Sequence, residues 1–127
     1  MDRPSVLFVD DDEAVLSVAA RILRKADFPV CTADSAATAL ALLNTRKIGI
    51  MIYDLSVGGE EGAFDFLSSV HRSQPSLSIL LITGYASPET VKEAERLEIR
   101  LLEKPFGSTE LLAQMSYLMA HRKNTAA

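Results

Sequence analysis

A small set of polar side chains interrupts otherwise apolar runs, and their types suit phosphate chemistry. The run at residues 5–9 breaks into Asp10, Asp11 and Asp12, and the run at 48–53 ends in Asp54. The run at 77–82 ends in Thr83-Gly84, and the one at 99–102 passes through Glu103 into Lys104-Pro105. If these runs lie side by side and parallel, all of these groups share one edge. Carboxylates crowded there repel and raise one another's pKa unless a cation offsets them. Oxygen ligands open to solvent suit Mg²⁺, which takes one or two carboxylates and keeps several waters, with Mn²⁺ as the substitute of matching ligand preference. Lys104 adds a second positive charge and Thr83 a hydroxyl donor. A carboxylate facing a metal, an ammonium and a hydroxyl is placed to act as nucleophile while its neighbours hold phosphate oxygens. Asp54 is the candidate for that role.

The elements that must position these groups alternate along the chain. Residues 5–10, 29–32, 48–53, 77–83 and 99–102 read as strands, several apolar nearly throughout, as in a parallel sheet covered on both faces. Val15, Val18, Ala19 and Ile22 follow the spacing of one buried helix face, as do Leu111, Met115, Leu118 and Met119. Residues 36–44, 63–72 and 88–97 complete the helical set. Ser87-Pro88-Glu89 is a favourable helix start, and Asp12 reads as the cap of the first helix. This repeated βα order predicts an α/β fold, a doubly wound five-stranded parallel sheet with helices on both faces. Ligands bind such sheets at the carboxyl ends of the strands, where the polar set lies.

Composition narrows the class. A length of 127 residues fits one domain, and 48% apolar with 24% charged residues supports a real core. Thirteen basic against seventeen acidic residues leave a net charge of −4, the wrong sign for neutralising nucleic-acid phosphates, so no direct nucleic-acid binding is expected. The lone Cys31 forms no intrachain disulfide, and no Cys/His cluster suggests zinc; a reducing, cytoplasmic location is expected. No apolar run approaches the roughly 18 residues of a membrane span, and no signal peptide is recognised. His71 and His121 read as surface residues near helix ends, Cys31 as a small apolar strand residue, and Glu60 and Glu61 as a solvated loop. Residues 1–121 are expected to form the domain and 122–127 a polar tail or linker start.

Val9-Asp10-Asp11, Asp54 with Gly62 after it, Thr83-Gly84 and Lys104-Pro105-Phe106 together resemble the receiver domain of two-component response regulators, over essentially the whole chain. The resemblance implies a flavodoxin-like sheet of strand order 2-1-3-4-5 and a cis Lys104–Pro105 bond. It implies that Asp54 accepts a phosphoryl group from a sensor histidine kinase or histidine phosphotransfer protein. Asp11 and Asp54 would ligate Mg²⁺ directly with the Ser56 carbonyl, Asp10 would act mainly through bound water, and Thr83 and Lys104 would contact phosphoryl oxygens. The outcome would be a changed protein-interaction surface read by an output domain or downstream protein, in a monomer or weak dimer. The domain would be a signalling phosphoacceptor rather than an enzyme.

Three positions depart from the family pattern. The loop after Asp54, which usually carries Met-Pro, reads Leu55-Ser56-Val57-Gly58-Gly59 here; Gly58 in place of the Pro, with Gly59 beside it, adds conformational freedom. Leu101 replaces an aromatic switch residue, and Tyr85 is the nearest aromatic able to take a related part. Ser56 and Tyr85 occupy the positions that tune phosphoryl lifetime, and a bulky Tyr85 is expected to restrict attacking water and slow dephosphorylation. Two rival readings follow from the residues: a phosphorylation-independent interaction module of the same fold, and a haloacid-dehalogenase-like phosphohydrolase using Asp10 and Asp12.

Overall fold

In the computed structural model, which describes residues 3–122, the apolar runs become five parallel strands. They are β1 (Val6–Val9), β2 (Val30–Ala33), β3 (Ile50–Asp54), β4 (Ser78–Thr83) and β5 (Arg100–Glu103), in the order β2-β1-β3-β4-β5. Every residue of β1, β3 and β4 is buried, which is why these central strands are apolar without alternation. The connecting helices are α1 (Glu13–Lys25), α2 (Ala36–Thr45), α3 (Glu60–Ser73), α4 (Pro88–Arg96) and α5 (Ser108–Ala120).

Alternate strand residues feed two cores. Leu7, Val9, Met51, Tyr53 and Leu81 pack with residues of α2, α3 and α4, such as Leu43, Leu67 and Ala94. Val6, Phe8, Ile52, Leu80 and Ile82 pack on the other face with residues of α1 and α5, such as Leu23 and Met115. A fully buried Leu23 or Leu67 contributes about 1.5–3 kcal/mol by removal from water. Sequence order reverses between β1 and β3, and the crevice at their carboxyl ends is where such sheets take ligands.

The helix starts explain the element boundaries. Asp12 accepts from the Ala14 and Val15 amides, Ser35 from the Thr38 amide, and Ser87 from the Thr90 amide with Pro88 in the first turn. The expected α1 stripe needs correction. The buried face is Leu16, Ala19, Ala20 and Leu23, while Val18 is 55% exposed and Val15 and Ile22 are half-buried. The chain contains two overlapping apolar stripes one residue apart, and the one carrying Leu16 and Leu23 faces the core. Helix α3 likewise starts at Glu60 rather than Ala63. Gly59, with φ of 82°, turns the chain into it, and Glu60 and Glu61 sit in the first turn beside the positive helix end instead of in a loop. Most of the expected tail, residues 123–127, lies outside the described residues. Among the described residues no helix is long and apolar enough to cross a membrane.

Candidate functional site

The site grows out of strand register. Val9 pairs with Tyr53, so Asp10, just past β1, and Asp54, the last residue of β3, come side by side at the reversal point, and both are buried. On the other side Thr83 pairs with Glu103, and the Lys104 amide donates to the Thr83 carbonyl at 2.8 Å, carrying the pairing one residue further. The Lys104 ammonium reaches back over the edge to pair with Asp54 Oδ2 and lies 3.9 Å from Asp10 Oδ2. The Lys104–Pro105 bond is cis.

Each carboxyl oxygen has a distinct surrounding. Asp54 Oδ1 accepts from the Ser56 amide at 2.8 Å and the Ser56 hydroxyl at 2.7 Å. Asp10 Oδ1 accepts from the Asp12 amide at 2.9 Å. Asp10 Oδ2 and Asp54 Oδ2 are buried and accept no hydrogen bond of ordinary geometry, so their compensation is ionic and comes from Lys104. Burial opposes ionisation of Asp54, but Lys104, both Ser56 donors and the Asp10 proton outweigh it and hold its pKa below the usual value. Burial dominates at Asp10 and, with the Asp54 charge beside it, lifts its pKa to about 6 despite the Asp12 amide and Lys104. Burial of Lys104 is likewise outweighed by Asp54, Asp10 and Asp11, and its pKa rises.

These oxygens are a fit for a hard divalent cation: two buried carboxylate oxygens without hydrogen-bond donors, at a solvent-reachable edge, match the modest carboxylate count Mg²⁺ takes. The expected three-carboxylate convergence is not what the side chains form. Asp11 is exposed at the rim, and among the described residues no three His, Cys, Asp or Glu side chains gather in a metal-holding group. Asp11 follows Asp10 beyond the end of β1, and its charge helps to raise the pKa of Lys104.

Thr83 is buried at the same edge, but its hydroxyl engages the next loop, donating to the Tyr85 carbonyl at 3.0 Å and accepting from the Tyr85 amide at 3.2 Å. Tyr85 is 73% exposed and meets the Thr83 hydroxyl through its backbone. Leu101 is half-buried and packs against the core under α2, α3 and α4. The loop at 55–59 is better fixed than its glycines suggest. Leu55 and Val57 are buried, the Leu55 amide donates to the Ile82 carbonyl, and the Tyr53 hydroxyl donates to the Val57 carbonyl at 3.4 Å.

Sequence reasoning missed three participants. The Glu103 carboxylate accepts from the Ala86 amide at 3.2 Å, and Glu60 accepts from the buried Thr90 hydroxyl, which also meets Ser87 Oγ at 2.9 Å. Only the capping pair Ser87 and Thr90 leaves a local signal; the partners of Glu60 and Glu103 are distant in sequence.

The sequence profile of the response regulator receiver domain matches residues 6–116. The chain belongs to this receiver domain family. It is therefore a signalling domain of two-component systems, and this membership favours the receiver reading over the phosphohydrolase one. The receiver domain is 28% identical over 124 residues to the DNA-binding transcriptional regulator NtrC of Rhizobium meliloti, covering 97% of this chain and 25% of that protein. It is 30% identical over 112 residues to the acid tolerance regulatory protein ActR of Sinorhizobium medicae, covering 87% and 57%. The chain spans about a quarter of the length of NtrC and 22% of the Escherichia coli transcriptional regulatory protein GlrR. Among solved structures, it superposes with a TM-score of 0.85 at 28% identity on the signal receiver domain of an HD domain-containing protein from Pseudomonas fluorescens, covering 94% and 96% of the two chains. A CheY-like receiver domain from Methanospirillum hungatei matches at TM-score 0.85 and 25% identity, covering 92% and 94%.

Proposed function

We propose that this receiver domain accepts a phosphoryl group on Asp54 from a phosphohistidine of a sensor histidine kinase or histidine phosphotransfer protein. The observation that carries this reading is the Asp54 carboxylate, buried yet held ionised by Lys104 and the two Ser56 donors. An ionised carboxylate at the mouth of a crevice is a competent nucleophile. An Asp54 oxygen forms the new bond to phosphorus as the phosphorus–nitrogen bond breaks, and the histidine nitrogen leaves with the electron pair.

Asp54 and the Ser56 carbonyl, with the charges of Asp10 and Asp11, would hold Mg²⁺ or Mn²⁺. When bound, the ion supplies positive charge that offsets phosphoryl oxygens. Lys104 supplies the protein's own cation for the same oxygens, and Thr83 reaches them only after its hydroxyl leaves Tyr85. The product adds about −1.5 to −2 charges to the pocket, which biases the protein between two conformations and changes a docking surface. The output resides in another domain or a partner protein, and the setting is cytoplasmic.

The test is exposure to a small phosphodonor with Mg²⁺, read by intact mass. Wild type is expected to gain one phosphoryl group and Asp54→Asn none. No gain in the wild type, or an equal gain in the variant, overturns the reading. A second reading, docking without phosphorylation, draws on the Thr83 hydroxyl being tied to Tyr85 and on Leu101 lacking a polar group; the same experiment separates the two.

A further inference from the structure

The segment between Thr83 and Thr90 is fastened at three points, and each fastening comes from a chain segment bordering the pocket. Thr83 holds the Tyr85 backbone through its hydroxyl. Glu103, next to Lys104, holds the Ala86 amide. Glu60, at the start of the helix that follows the Asp54 loop, holds the buried hydroxyl of Thr90 in the first turn of α4. Both acidic fastenings accept through side-chain carboxyl oxygens. Glu60 also lies in the first turn of α3, so it is favoured by the positive ends of two helices.

We propose that Glu60 and Glu103 are positioning residues for Thr83: they clamp the β4–α4 loop in the arrangement that keeps the Thr83 hydroxyl on Tyr85 and away from Asp54. This inference rests on the phosphoacceptor reading above. For Thr83 to turn toward a phosphoryl group on Asp54, its bonds to Tyr85 must break and residues 84–87 must shift. That shift works against the Glu103 bond to Ala86 and against the Glu60 bond that anchors the start of α4. The clamp therefore sets how much phosphoryl contact is needed to move the loop. The Leu101 side chain has no hydrogen-bonding group and Tyr85 is exposed, so Glu103 ties the pocket edge to the β4–α4 loop at Ala86 and Glu60 ties it to α4 at Thr90.

The experiment titrates the Mg²⁺-loaded protein with beryllofluoride, a phosphoryl mimic, and follows the amide NMR signals of Gly84, Tyr85 and Ala86. Asp54→Asn serves as the control that should not respond. Glu60→Ala, Thr90→Val and Glu103→Ala are expected to reach half-conversion at about fivefold lower mimic concentration than wild type, while Thr90→Ser, which keeps the hydroxyl, matches wild type. Glu60→Ala combined with Thr90→Val should shift no further than either alone, because both remove one bond; adding Glu103→Ala should shift further. Unchanged midpoints in the Glu60 and Thr90 variants, or a Thr90→Ser midpoint that follows Thr90→Val, would overturn the clamp alone. A wild type whose signals never respond would overturn the phosphoacceptor reading with it.

Discussion

Asp10 and Asp54 lie in one pocket yet have pKa values shifted in opposite directions: Lys104 and Ser56 outweigh burial at Asp54, whereas at Asp10 burial and the neighbouring negative charge outweigh the Asp12 amide and Lys104. With its pKa raised from 3.8 to about 6, Asp10 contributes stability below pH 3.8 that is lost as pH rises through about 6. Asp54 behaves oppositely, stabilising above its unfolded value and losing that contribution as pH falls. At pH 7 without divalent ions, Asp10→Asn should therefore stabilise the protein by on the order of 1–3 kcal/mol in denaturant unfolding, with the difference from wild type shrinking toward pH 4. The same variant should lose Mg²⁺-dependent phosphoryl uptake. In the wild type the Asp10 proton competes with a cation, so calorimetric titration should show Mg²⁺ affinity falling as pH drops through about 6. An affinity flat from pH 5 to 7.5 would contradict the assignment of Asp10 to the cation. Lys104→Ala removes the only cation paired to Asp54 Oδ2 among the described residues. It should slow phosphoryl uptake and, after discounting for the partial exposure of Lys104, cost about 1 kcal/mol.

At the scale of elements, the loop from Asp54 to α3 depends on backbone geometry more than on side chains. Gly58 and Gly59 have φ of 75° and 82°, and nothing lies within 4 Å of a Cβ added at either. Alanine there meets no clash, so the whole penalty is conformational: Gly59→Ala should cost about 1–3 kcal/mol, measured by urea unfolding. If the alanine variant unfolded at the wild-type midpoint, the positive φ would be disproved. This loop also shows what a sequence can and cannot reveal. Gly58 was visible as a departure from the usual Pro, with Gly59 beside it, but freedom of the unfolded chain does not disclose whether the folded loop is loose; Leu55, Val57 and the Tyr53 hydroxyl fix it. Strand ends were legible because a polar residue interrupting an apolar run is a local signal, and it located Asp10, Asp54, Thr83 and Lys104. Register on α1 was not, since Val15 to Leu23 supports two stripes and only packing chooses between them. Glu60 and Glu103 escaped because each finds its partner across the fold, where spacing carries no information.

The whole molecule divides its labour between interior and edge. Two cores clamp the sheet, and every residue of the three central strands is buried, so the interior resists displacement, because close-packed cores have low compressibility and rearrange discretely rather than deforming continuously. The functional side chains all stand on the carboxyl edge, attached to that interior through strand ends and to one another through the short loops at 55–59 and 84–87. Added charge on Asp54 should therefore act along the edge and leave the sheet intact. Hydrogen exchange of the phosphorylated or beryllofluoride-bound protein is expected to change at residues 55–60, 84–90 and 104–107. Protection in the middle of β1, β3 and β4, at Leu7, Met51 and Leu80, should track global stability alone. The division explains why the overall topology was readable from alternating apolar runs: continuous burial writes itself into every position of a central strand. It also sets the decisive measurement. Loss of protection at Met51 or Leu80 beyond the global change would mean that phosphorylation loosens the sheet itself, and the edge-confined switch would be wrong.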